Sequence, residues 1–395
     1  MDYVFAPAAD KLKPSAIREI LKLSSAPGII PLSAGNPAPE AFPVEAVREI
    51  TRRLLADDPI KMLQYSVTEG VPELKEMLKA QLKNDGLMSE NDEILITCGA
   101  QQVMSLAATA LAGYGDVLLS EEPSFVGSLN ALKLSGARVV GIPMQDDGLD
   151  VARLEDTLKT EKNVRALYVI PNFQNPTGIT TSAEKREAIY ALAKKYGILI
   201  IEDNPYGELY FGKKPPKAIK TLDRDGLVIY AGSFSKVLAP GIRVGYCVAP
   251  KALIAKFTAI KQTQDVHTNV LAQWVAYTFL KTYDFSAHLE NLRAIYTKKA
   301  ALCLAEMDKH LAPDIRFTRP AGGLFAWCTL PEGVDMLAFV QKAIKEYSVA
   351  VVPGTAFSVV EGTVSHAFRI NYSTPTDQQL IDGMAKLGEA FRAFR

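Results

Sequence analysis

Ala166-Leu167-Tyr168-Val169-Ile170 runs into Pro171-Asn172-Phe173-Gln174-Asn175-Pro176-Thr177-Gly178, and Ile198-Leu199-Ile200-Ile201-Glu202 runs into Asp203-Asn204-Pro205-Tyr206. Each stretch opens as a short run of branched apolar residues, the pattern of a strand buried on both faces. Each closes in turn-forming residues. Between them, residues 182–196 carry apolar side chains at helical spacing, so the order is strand, helix, strand, which is the crossover unit of a parallel sheet. Similar runs at 94–98, 117–120, 139–142, 227–231 and 244–248 repeat the theme. The expectation is an α/β domain with a large, doubly wound, mostly parallel sheet. Beyond residue 285 the pattern becomes a long charged helix near 288–310, strands at 324–330, 350–352 and 368–372, and a last helix, as in a smaller α+β lobe. A helical stretch at 15–23, followed by Pro- and Gly-rich sequence through Pro43, suits an arm crossing between lobes. The expected division is an arm at 1–43, a large domain at 44–285 and a small domain at 286–395.

A chain of 395 residues is too long for one growing core, so a site between lobes is natural. The 44 Lys and Arg balance 44 Asp and Glu, unlike a polyanion binder, and nucleic acid is not an expected partner. The N-terminus lacks a basic region followed by an apolar run, and no stretch is long and apolar enough to cross a bilayer; the cytoplasm is the expected compartment and a membrane is not an expected partner. Cys98, Cys247, Cys303 and Cys328 sit singly, without zinc or disulfide spacing, and read as small buried side chains. No metal site is expected.

Two glycine motifs are decoys. Gly207-Glu208-Leu209-Tyr210-Phe211-Gly212-Lys213 has the spacing of a nucleotide phosphate loop, but Lys214 stands where Ser or Thr is needed and no helix pattern follows. Gly113-Tyr114-Gly115 precedes a strand and lacks a third glycine, unlike a dinucleotide fingerprint.

The informative residues follow strands, where open α/β sheets bind ligands. Asn175 and Asp203 with Tyr206 follow the two strands quoted first. The run at 227–231 leads into Gly232-Ser233-Phe234-Ser235-Lys236, and Arg243 follows. Pyridoxal phosphate (PLP) needs a fixed carboxylate for its protonated ring nitrogen, donors for its phenolate oxygen, hydroxyls, N–H groups and a cation for its phosphate, and a lysine for its aldehyde. Asp203, Asn175 with Tyr206, Ser233 and Ser235 with Arg243, and Lys236 supply these in turn. After another strand, Gly99-Ala100-Gln101-Gln102 opens a helix whose N-terminus suits a phosphate. Phe125 could stack on the pyridine. Singly these residues are weak signals, since a lone Asp after a strand usually caps a helix or turn. Their joint order is hard to reach by chance.

Those motifs, with Ile17-Arg18-Glu19-Ile20-Leu21, Ala34-Gly35-Asn36-Pro37, Gln64-Tyr65-Ser66-Val67-Thr68-Glu69-Gly70, Pro240-Gly241-Ile242-Arg243 and Arg369, make nearly the whole chain resemble the class I/II aminotransferases of the fold-type I PLP-dependent superfamily. It is most similar to the branch of 2-aminoadipate aminotransferase and kynurenine aminotransferase II. The resemblance implies that Lys236 holds PLP as a Schiff base and shuttles protons, that Asp203 pairs with the ring nitrogen, and that Asn175 and Tyr206 contact the phenolic oxygen. It implies that Ala100 and Gln101, Ser233, Ser235 and Arg243 surround the phosphate, with Tyr65 supplied by the other subunit of a homodimer. Arg369 would clamp the substrate α-carboxylate, Gly35 would leave room for substrate, and Arg18 would swing toward a distal side-chain carboxylate or away from it. The expected reaction moves an amino group from an L-amino acid of 2-aminoadipate, aromatic or branched-chain type to a 2-oxo acid such as 2-oxoglutarate, with ping-pong kinetics.

Ala100, Phe125 and Asn36 depart from the branch's usual serine, tyrosine and leucine, so its chemistry transfers more securely than its substrate preference. The cofactor motifs do not fix which bond at Cα breaks, which leaves β-elimination or decarboxylation as rivals. A regulatory effector-binding module is a rival of another class; the aminotransferase-like region begins almost at Met1, leaving no room for a preceding helix-turn-helix. His267 reads as a structural residue near a dimer seam, and His288, His310 and His366 as surface or packing residues.

Overall fold

The computed structural model describes residues 3–10 and 26–394. Eight strands form the central sheet: β1 (Asp92–Thr97), β2 (Val117–Glu122), β3 (Arg138–Gln145), β4 (Gly148–Leu149), β5 (Val164–Val169), β6 (Leu199–Asp203), β7 (Val228–Ser233) and β8 (Gly245–Pro250). Their order is β1-β8-β7-β6-β5-β2-β3-β4. The pairs β7–β6, β6–β5, β5–β2 and β2–β3 are parallel, whereas β8 runs antiparallel to both neighbours and β4 antiparallel to β3.

The branched apolar runs form central strands because both faces are covered. Ala166 and Tyr168 of β5 pack into one core and Leu167 and Val169 into another, with Ile201 and Ile200 of β6 divided likewise. Between these strands the helix Ala183–Tyr196 starts where Ser182 accepts from the Lys185 N–H, and stops at Gly197, whose φ of 67° is left-handed. The short strand β4 was not apparent from sequence; two residues carry too little pattern.

In the smaller lobe, β9 (Arg316–Phe317), β10 (Phe325–Thr329), β11 (Val352–Pro353) and β12 (Ala367–Asn371) pair antiparallel in the order β11-β12-β10-β9. The helix Phe285–His310 bridges the lobes, with Leu289, Leu292 and Tyr296 in the large core and Ala300, Cys303 and Met307 in the small one. Residues 30–41 also join both, with Ala38 and Ala41 in the large core. Ile30 and Leu32 sit in the small-lobe core, Ile30 donates to the Ser348 carbonyl, and Asn371 donates to that of Leu32. This lays Gly35 along the cleft between the lobes.

Cys247, Cys303 and Cys328 are buried as expected, but Cys98 is only partly so. Its thiol lies 3.2 Å from Asp265 at the end of a polar cluster with Lys261, an environment set by sequence-distant residues. His288 packs on Phe279 and bonds the Val237 carbonyl, and His310 pairs with Glu306. Among the described residues, no helix is long and apolar enough to cross a membrane, and no cluster of potential metal ligands is found.

Candidate active site

A cavity of about 1260 Å³ opens between the lobes. It is lined by Lys236, Asp203, Asn175, Tyr206, Ser233, Ser235 and Arg243, together with Ala100, Gln101, Phe125, Gly35 and Arg369. Sheet direction explains this convergence. Parallel strands β5, β6 and β7 end at one edge, and antiparallel β8 begins there, so Arg243, two residues before β8, stands beside Ser235 from the end of β7. β1 ends at the same edge and delivers Gly99 and the helix Ala100–Leu111.

At the floor, Asp203 is buried, and the Tyr168 hydroxyl donates to its Oδ2 (2.9 Å) while lying 2.8 Å from Ser128 Oγ. Asp203 Oδ1 is buried with no partner among the described residues. Burial pushes the carboxyl up to about 7, with the Tyr168 hydrogen bond opposing. A buried, unpaired acceptor in this state fits a cationic N–H, as a pyridinium supplies.

Lys236 Nζ donates to the Gly35 carbonyl at 2.8 Å. Burial, and then Arg369 and Arg243, lower it to about 8, so a nucleophilic amine is accessible near neutral pH. Burial also holds the Tyr206 phenol above its ordinary range.

The side of the cavity expected to take a phosphate is a cradle of small residues and donors. Gly99 has φ 71° and ψ 172°, and the helix after it has no side-chain cap, which leaves its first N–H groups for a ligand. A Cβ on Gly99 would stand 2.7 Å from an Arg243 guanidinium nitrogen, and one on Gly245 would stand 2.7 Å from the Gly99 carbonyl carbon. Arg243 donates to the Cys98 carbonyl and reaches Ser235 Oγ at 3.4 Å. The Gln101 side chain donates to the Gly127 carbonyl at 2.7 Å.

Opposite, Arg369 of β12 is buried with neutral partners: Asn175 Oδ1 at 2.8 Å, the Ser33 carbonyl at 2.9 Å and the Ala34 carbonyl at 3.3 Å. Its Nε has no partner among the described residues, its guanidinium lies over the rings of Phe325 and Phe357, and burial lowers it to about 10. It remains charged at neutral pH, a buried cation suited to a small anion.

Two expected residues are not in this group. Tyr65 is 80% exposed, edge-on to His267, and does not line its own chain's cavity. Arg18 lies outside the described residues, as does the expected helix at 15–23. Conversely, sequence reasoning missed Tyr168 and Ser128, which bond beside Asp203, and the buried pair of Glu121 and Gln174 between the loops after β2 and β5. A tyrosine or glutamate within an apolar run reads as strand filler until the sheet order is known.

Residues 27–387 match the model of aminotransferase class I and II. Aromatic-amino-acid aminotransferase 1 of Thermococcus litoralis is 36% identical over 99% of this chain and 95% of the relative. The 2-aminoadipate transaminase of Thermus thermophilus is 37% identical over 98% and 96%. The crystal structure of Pyrococcus horikoshii kynurenine aminotransferase, in complex with PMP, superposes with a TM-score of 0.94 at 35% identity, covering 98% of this chain and 97% of that one. With the unpaired Asp203, the depressed Lys236 and the cradle at Gly99 already matching what PLP demands, the chain belongs to the class I and II aminotransferases, a PLP-dependent family, and is an aminotransferase acting on amino acids.

Proposed function

We propose that this aminotransferase takes an L-amino acid of the aromatic, branched-chain or 2-aminoadipate type and passes its amino group to a 2-oxo acid, 2-oxoglutarate foremost, in a ping-pong cycle. The observation that carries this reading is the division of charge in the cavity. Its described charged lining residues are Asp203, Lys236, Arg243 and Arg369, and each has a task in holding cofactor or α-carboxylate. The wall beyond includes Ile29, Pro31, Val126, Val352, Ala356 and Phe357, apolar surface for a bulky uncharged side chain. A distal carboxylate falls to Arg18.

PLP, when bound, supplies the electron sink for negative charge developing at the substrate Cα. In this reading Asp203 accepts from the ring nitrogen and keeps it protonated. Asn175 and Tyr206 would bind the ring oxygen, and Phe125 would stack on the ring. Ser233, Ser235, Arg243 and the N–H groups of Ala100 and Gln101 hold the phosphate. Arg369 fixes the α-carboxylate in a two-pronged grip, which orients the Cα–H bond. The Lys236 amine removes that proton and, as ammonium, returns it in the next transfer. Gly35, whose carbonyl holds Lys236 Nζ, has no Cβ in the substrate's way. The protein works as a homodimer in which Tyr65 completes the partner's phosphate site.

The test is a panel of amino donors with 2-oxoglutarate, followed by separate half-reactions of Arg18→Ala. Parallel double-reciprocal plots and glutamate formation with aromatic, leucine-like and 2-aminoadipate donors are expected. A desolvated charged hydrogen bond contributes about 1.5–3 kcal/mol. Arg18→Ala should therefore cost roughly ten- to a hundredfold in kcat/KM for dicarboxylic donors and much less for leucine. Equal losses for all donors, or none, would remove Arg18 from substrate selection. Turnover of none of the three donor types would overturn the proposed substrate class.

A further inference from the structure

Glu121 is wholly buried near the end of β2 and has no part in the chemistry above. Its Oε2 accepts from the Ile170 N–H and from Gln174 Nε2, both at 3.1 Å. The same Gln174 amide donates to the Pro123 carbonyl at 2.8 Å, and its Oε1 accepts from the N–H and hydroxyl of Thr177 at 3.0 and 2.7 Å. Two loops are thereby tied together. One follows β2 and carries Phe125; the other follows β5 and carries Asn175, whose Oδ1 grips Arg369.

We propose that Glu121 is a positioning residue for the cofactor site, clasping through Gln174 the loop of Phe125 to the loop of Asn175 so that the face and the edge of the PLP ring are held in one frame. The inference rests on the reading that Phe125 and Asn175 flank that ring. The economy of the contacts supports it. One carboxyl oxygen takes both donors, and Oε1 has no partner among the described residues. Burial pushes the group up to about 7, so the neutral acid, which keeps an acceptor at Oε2, is accessible at working pH. The Arg186 charge favours the carboxylate and the Asp203 charge opposes it, yet Glu121 makes no ion pair among the described residues, and its direct contacts are the two hydrogen bonds it accepts at Oε2. An amide should replace it, and an apolar side chain should not.

The experiment compares Glu121→Leu, Glu121→Gln, Gln174→Leu and Asn175→Ala as apoproteins titrated with PLP, reading affinity by fluorescence and ring orientation by the visible circular dichroism of the bound cofactor. Glu121→Leu and Gln174→Leu should each weaken PLP binding about tenfold, the equivalent of one buried hydrogen bond, and alter the dichroism as Asn175→Ala does. Glu121→Gln should retain both properties of the wild type. Should Glu121→Leu fail to fold, Gln174→Leu and Glu121→Gln still decide. Unchanged affinity and dichroism in Gln174→Leu, or a Glu121→Gln protein as impaired as the leucine variants, overturns the proposal. If instead Asn175→Ala itself leaves the cofactor signal untouched, the placement of Asn175 beside the ring is what fails.

Discussion

Asp203 is buried and Lys236 partly buried on the wall of the cavity, and in both burial disfavours the charged form. The Asp203 carboxyl, ordinarily near about 3.9, is pushed up to about 7 by burial. Its contribution to stability is therefore complete below the unfolded value and is lost as pH rises through about 7. Asp203→Asn removes that loss. The variant apoprotein should be no more stable than wild type at about pH 3.5, should gain on it as pH rises from about 4 to 7, and should be more stable by a few kcal/mol at about pH 8, measured by urea unfolding. It should also lose about a hundredfold or more in kcat, because a preorganised charge at the reacting system is gone. A stability gap independent of pH would show that Asp203 is not strained. Lys236, lowered to about 8 chiefly by burial, makes the opposite kind of prediction. Capture of PLP by the apoprotein should quicken with pH and level off above about 8, where an ordinary lysine would keep gaining until roughly 10.4. Borohydride should then fix the label on Lys236, and Lys236→Ala should take up none covalently.

At the scale of elements, the cradle proposed for the phosphate is a meeting of β1, β8 and the helix Ala100–Leu111, and Gly99 stands at its centre. Its backbone lies in a region essentially reserved for glycine, and a methyl group there would strike Arg243. Gly99→Ala should weaken PLP binding by about tenfold or more, the consequence of roughly 1–3 kcal/mol of strain. Phosphate-free pyridoxal should lose much less, and equal losses would show that this helix start does not hold the phosphate. The same elements explain what could be read in advance. Lys236, Asp203 and Asn175 were legible because each stands immediately after a recognisable strand, within a motif. Tyr168 was not, because alternation along β5 makes it look like core, and its bond to Asp203 exists only because β5 lies beside β6. Nor could the antiparallel direction of β8 be read, since its apolar run is composed like its neighbours'. Yet that reversal brings Arg243 beside Ser235 at the cavity. Glu121 and Gln174 meet through the pairing of β2 with β5, again a fact of sheet order and not of spacing.

For the whole molecule, the decisive residue is Tyr65, which is not among the residues lining its own chain's cavity and is 80% exposed. Around it Ile60, Leu63 and Val67 are 71%, 74% and 51% exposed, an apolar stretch of the kind that marks a protein contact. If two copies pair about a two-fold axis through this surface, each site draws Lys236 from one chain and Tyr65 from the other. That arrangement can be tested by mixing two crippled chains. In a heterodimer of Lys236→Ala with Tyr65→Ala, one site inherits both defects, while the other receives an intact Lys236 from one chain and an intact Tyr65 from its partner. Random reassociation of equal amounts makes half the dimers mixed, each with one intact site of two, so about a quarter of wild-type activity should return. Were Tyr65 to serve its own chain, every site in the mixture would carry one defect or the other, and mixing would give only the average of the two parents. Activity above that average after reassociation, measured at saturating PLP, is the expected outcome. Its absence in a preparation shown to contain heterodimers would place Tyr65 outside the partner's site.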